Sequence, residues 1–76
     1  MEYLLVIHPA EEGGYWADVP SLPGCFAQGE TLEEAITEGR EAIVAHLHAL
    51  REDGQPVPQE QQVIVATISI PEAASA

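Results

Sequence analysis

Pro20-Ser21-Leu22-Pro23-Gly24-Cys25-Phe26-Ala27-Gln28-Gly29-Glu30-Thr31-Leu32-Glu33-Glu34-Ala35 is the stretch on which the fold turns. Pro20 and Pro23 fix φ and withhold backbone donors, and Gly24 can take the positive φ that a sharp reversal demands. Cys25-Phe-Ala-Gln28, set between Gly24 and Gly29, then suits a short strand. Gly29 marks a bulge or a close approach of two backbones. Thr31-Leu-Glu-Glu34 is a capping box: the Thr31 hydroxyl can accept from the Glu34 N–H while the Glu34 carboxylate reaches back to Thr31. Glu30, Glu33 and Glu34 also sit at the positive end of the helix dipole.

Downstream, Leu32, Ala35, Ile36, Gly39, Ile43, Leu47 and Leu50 recur at spacings of three and four, one apolar stripe along a helix that ends by Gly54, Pro56 and Pro58. Gly39 costs about 1 kcal/mol in helix propensity, which a close seat over the sheet would offset. Upstream, residues 2–8 put Tyr3, Leu5 and Ile7 on one face and Leu4, Val6 and His8 on the other, and Pro9 ends the strand. Glu11-Glu-Gly-Gly14 is a turn, and Tyr15-Trp-Ala-Asp-Val19 a second strand that makes a hairpin with the first. After a polar linker, Gln59 to Gln62, comes Val63-Ile-Val-Ala-Thr-Ile-Ser-Ile70, β-branched, with Ile64, Ala66, Ile68 and Ile70 on one face. The reading is α+β, in the order β-β-β-α-β: a three-stranded antiparallel meander plus a fourth strand, with one helix packed on one face. One domain spans residues 1–70 and a tail residues 71–76.

The composition narrows what such a module can do. Thirteen acids against two arginines give a net charge of −11, a field that repels phosphate backbones and draws basic partners. Direct nucleic-acid binding by this chain is not expected. Hydrophobic residues make up 46% of the chain, a content that separates it from an acidic disordered segment. A chain of 76 residues buries only about 60% of its unfolded surface, so a homodimer or higher homo-oligomer is expected. The first apolar run is too short for a signal-peptide core or a membrane span, and Cys25, the single cysteine, permits no internal disulfide. A cytoplasmic protein without membrane association is the reading that follows.

Catalytic chemistry finds little support. Metal-assisted phosphoryl chemistry needs carboxylates converging from neighbouring elements, whereas only Asp18 lies inside a strand. Cys25 could serve as a nucleophile with His8, His46 or His48, but a cysteine opening a strand reads better as a small core hydrophobe. His46 and His48 project about 200° apart on a helix and cannot share one zinc ion. Tyr3, Tyr15 and Trp16 lack the basic neighbours of a base-stacking platform. No catalytic residue, metal site or cofactor is expected. The candidates for contact with a protein partner are Trp16 and Asp18 on the sheet face opposite the helix, and Glu33, Glu38 and Glu41 on the helix.

Gly14-Tyr-Trp-Ala-Asp-Val-Pro20, Leu22-Pro-Gly-Cys25, Gly29-Glu-Thr31 and Glu33-Glu-Ala-Ile36, in that order, resemble the HicB family of antitoxins over residues 2–70. The resemblance implies a partial RNase H-like fold without the nuclease carboxylates. It also implies a partner, a small basic HicA-type toxin that cleaves mRNA, whose active site the antitoxin covers. Many members carry a C-terminal helix-turn-helix or ribbon-helix-helix domain that represses their own operon. Here six residues follow Ile70, so DNA-binding autoregulation would have to come from another protein. The alternative within the same resemblance is a HicB-like oligomeric binding or scaffold protein with no toxin.

Overall fold

The computed structural model describes residues 2–59 and 64–72. Strand β1 (Val6–Pro9), strand β2 (Tyr15–Asp18), strand β3 (Phe26–Gly29) and helix α1 (Leu32–Glu52) follow one another along the chain. The sheet is an antiparallel meander in the order β1-β2-β3. Its register sets Val6 opposite Asp18 and His8 opposite Trp16, then Asp18 opposite Phe26 and Trp16 opposite Gln28. Successive side chains of a strand point to opposite faces, so Ile7, Ala17 and Ala27 face the helix. Val6, His8, Trp16, Asp18, Phe26 and Gln28 face the other way.

The turns follow from the residues that occupy them. Five residues join β1 to β2, closed by Ala10 N–H to Gly14 O at 3.0 Å. Between β2 and β3 the chain reverses through Leu22 N–H to Val19 O and Cys25 N–H to Leu22 O, with Gly24 at φ +87° between Pro23 and Cys25. The turn is also part of the core. Leu22 has no exposed surface and clusters with Val19, Cys25 and Leu47, flanked by Tyr3, Leu5, Ala42, Ile43, Leu50 and Val57.

Thr31 caps α1, its hydroxyl accepting from Glu34 N–H at 3.1 Å, the first of the two bonds of a capping box. The far end closes as a Schellman motif: Gln55 N–H reaches Leu50 O and Gly54 N–H reaches Arg51 O, with Gly54 at φ +68°. Between these ends Ala35, Gly39 and Leu47 are the buried positions, whereas Leu32 and Ile36, assigned to the apolar stripe, stay 50% and 41% exposed. The helix lies mainly across β3 and more lightly on β2, which leaves its β1 side open. Gly29 lets backbones approach: a Cβ there would lie 2.5 Å from the Ala35 nitrogen. Gly39 instead accommodates the Leu5 side chain, whose methyls would stand 2.7 and 2.9 Å from such a carbon.

Two expectations need correction. The first strand covers Val6–Pro9 rather than residues 2–8. β2 turns away after Asp18, where Val19 N–H bonds Cys25 O, so no β2 residue stands opposite residues 2–5. The fourth strand, expected over 63–70, is not formed: residue 63 lies outside the described residues, and residues 64–70 have no regular secondary structure. β-branched content supplies the propensity, but a strand exists only where a neighbouring edge accepts its hydrogen bonds, and the two pairings formed are β1 with β2 and β2 with β3. Of the linker and tail, residues 60–62 and 73–76 lie outside the described residues.

Candidate functional site

The face of the sheet turned away from α1 carries the candidate site. Trp16 stands at its centre, 42% exposed, and its ring stacks on His8 with centroids 4.0 Å apart and planes 16° from parallel. His8 Nε2 is hydrogen-bonded to Asp18 Oδ1 at 2.9 Å, with both side chains about a third exposed. Two of the three polar positions on this face are thereby fixed in orientation by cross-strand contacts rather than left to solvent. Phe26, opposite Asp18 on β3, is 63% exposed. Two large aromatic side chains on an uncovered sheet surface are the kind of patch that protein partners bury.

Acids rim this patch on one side. An open hollow starts at His8 and Trp16, runs past the β1–β2 turn and ends at the start of α1, and its lining includes Glu11, Glu12, Glu30, Glu34 and Glu38 but neither arginine. Glu38 also joins Trp16, Phe26 and Gln28 around a shallower depression at the β3 edge. The structure therefore brings Trp16, Asp18 and Glu38 toward one surface. It does not bring Glu33 or Glu41 there: both are exposed on α1, and Glu41 lies with Arg40, Val44, Ala45 and His48 on another side of the helix. Phe26 and His8 were not singled out from the sequence as contact residues. The signal for Phe26 lay in strand alternation, since a core Cys25 places its neighbour on the opposite face.

The reactive groups fall elsewhere. Cys25 is 4% exposed, packed with Val19, Leu22 and Leu47, and burial pushes its thiol above the usual range. Of the helix histidines, His46 is half-buried and His48 exposed, with Nε2 3.3 Å from Glu52. Among the described residues no group of three or more His, Cys, Asp or Glu side chains could hold a metal ion. Nor, among them, is any helix long and apolar enough to cross a membrane.

Comparison with known proteins gives this geometry a context. The UPF0150 protein Ta0767 of Thermoplasma acidophilum is 40% identical over 60 residues, 79% of this chain and 87% of that protein. Among solved structures, the N-terminal domain of the Burkholderia pseudomallei antitoxin HicB superposes with a TM-score of 0.73 at 36% identity, covering 83% of this chain and 74% of that one. A HicA3 and HicB3 toxin-antitoxin complex contains a chain that matches with a TM-score of 0.70 at 30% identity, over 83% of this chain and 72% of its own. The model of the HicB-like antitoxins of bacterial toxin-antitoxin systems matches residues 3–75, and with that span the chain belongs to the HicB-like antitoxin family.

Proposed function

We propose that the chain is a non-catalytic antitoxin that binds a basic HicA-type mRNA-cleaving toxin through the open face of its sheet and covers the toxin's active site. Trp16 and Phe26 are the apolar anchors. Asp18, Glu38 and the acidic hollow beside them match basic groups on the toxin, steering encounter and fixing orientation. The observation that carries the reading is the pairing on one uncovered face of two exposed aromatics with a one-sided acidic rim. The likeness to a chain of a HicA3 and HicB3 complex supports the class of partner. Burial of the Cys25 thiol in its protonated form supports a role without turnover. In this reading the site of action is the reducing cytoplasm.

The test is co-expression with a HicA-type toxin from the same genome. The wild-type chain restores growth and co-purifies with the toxin, and Trp16→Ala with Phe26→Ala loses both while its circular dichroism is unchanged. Neither rescue nor a complex from the wild type would overturn the reading and leave a HicB-like binding or scaffold protein without a toxin.

A further inference from the structure

The segment that does not join its own sheet has a counterpart elsewhere on the same molecule. Residues 64–70 carry Ile64, Val65, Ile68 and Ile70 at 84%, 82%, 77% and 64% exposure, without regular secondary structure. No residue of Val63–Ile70 is charged, in a chain with a net charge of −11. An apolar β-branched segment of this kind is an aggregation hazard unless something covers it. On the body of the molecule β1 is an edge strand. Next to the residues that lead into it, Tyr3 and Leu5, a mainly apolar groove opens against the helix, lined also by Ile36, Arg40, Ile43, Val44 and Leu47. Ile36 and Val44 are 41% and 64% exposed there.

The two features fit each other in chemistry and in period. As a strand, residues 64–70 would present Ile64, Ala66, Ile68 and Ile70 on one face, with Val65, Thr67 and Ser69 on the other. Laid along β1, the first set lies in the groove under the helix, and the second lies level with Val6 and His8 on the open face. Being uncharged, the segment approaches an acidic surface without the repulsion that other parts of the chain would meet. Within one chain the helix stop at Gly54, Val57 in the core flank and the Tyr3 hydroxyl bonded to Pro58 O tie down the exit from α1. Residues 64–70 are not among those that line the groove of their own chain. A second copy holds an identical groove.

We propose that residues 64–70 of one copy form the fourth strand on the β1 edge of a second copy, and the reverse, in a two-fold strand exchange that fills both grooves. Such an isologous contact is closed and self-limiting, unlike open edge-to-edge stacking. It enlarges a small core by the means available to a short chain, association. The exchange does not depend on toxin binding, and its test uses the pure chain alone.

Light scattering on a sizing column should give twice the 8.2 kDa chain mass for the wild type and the single-chain mass for Ile64→Glu with Ile68→Glu, at unchanged helix content. Two differently tagged copies, one Val44→Cys and one Ile68→Cys, should form a covalent heterodimer under mild oxidation. Three results would each overturn the proposal: a monomeric wild type, a dimer that survives both glutamates, or a Val44→Cys/Ile68→Cys double variant that closes its disulfide within one chain. Because the disulfide readout leaves the segment's charge unaltered, it decides the matter even where the glutamate variant fails to fold.

Discussion

A Cβ placed on Gly29 would lie 2.5 Å from the Ala35 backbone nitrogen and 2.8 Å from the Glu34 carbonyl carbon, so the last residue of β3 and the first turn of α1 meet backbone to backbone. Neither side of that contact can yield as a side-chain tip can. Gly29→Ala is therefore expected to cost about 3 kcal/mol, the upper part of the range for overpacking. The three atoms nearest to a Cβ on Gly39 all belong to the Leu5 side chain, which can rotate, and Gly39→Ala gains about 1 kcal/mol of helix propensity. It should stay within about 1 kcal/mol of wild type. Urea unfolding of both variants measures the difference, and equal losses would contradict the backbone-contact account.

Leu22 sits in a Pro-Gly turn and yet is the largest fully buried side chain among the described residues. Truncating it empties the contact between the turn and Leu47. Leu22→Ala should cost about 3 kcal/mol through lost burial and the cavity left behind. For a domain of this size that lowers the thermal midpoint by more than about 10 °C. An exposed apolar change such as Leu32→Ala, at 50% exposure, should move it by far less. A midpoint for Leu22→Ala within a few degrees of wild type would place the centre of the core elsewhere.

What could be read from the sequence was what the chain decides locally. The Pro23-Gly24 reversal, the Thr31 cap and the Gly54 stop each depend on residues within a few positions, and the structure holds each of them. The side-chain alternation of Tyr15 to Asp18 likewise placed Trp16 and Asp18 on the open face. What escaped depends on a second element. Leu22 reads as a turn residue until Leu47 is brought against it. Phe26 becomes a surface aromatic only because Cys25 points into the core and α1 covers the other face. Residues 64–70 have strand composition, but composition does not say which edge, or which copy's edge, receives them. Charge misleads in the same way: Glu33, Glu38 and Glu41 look alike in sequence, and only Glu38 is set beside Trp16 and Phe26.

That difference among the acids is measurable once a toxin is in hand. Trp16→Ala and Phe26→Ala should each weaken toxin binding by at least about 2 kcal/mol, roughly 30-fold in Kd, as buried aromatic anchors do. Glu38→Gln should slow association and flatten its salt dependence, as loss of a charge beside the contact does. Glu33→Gln and Glu41→Gln should do neither. Surface plasmon resonance at two ionic strengths separates these outcomes. Equal effects from all three glutamates would mean that net charge alone, rather than this face, governs the encounter.

The buried thiol makes stability depend on alkaline pH in a way that one substitution can isolate. Burial raises the Cys25 pKa in the folded chain, while in the unfolded chain a cysteine ionises near about pH 8.5. Above that value the unfolded state has released a proton that the folded state retains, so stability is full below it and declines as pH rises toward the folded value. With one proton at stake, the slope is at most about 1.4 kcal/mol per pH unit. Cys25→Ala removes this contribution but leaves every other titrating group in place, so the difference between the two unfolding profiles belongs to the thiol. The margin of the wild type over the variant should shrink as pH rises above about 8.5, and a thiol reagent should modify the native chain no faster than it opens. Parallel profiles, or rapid modification of the native protein, would mean that Cys25 lies open to solvent and is free to react.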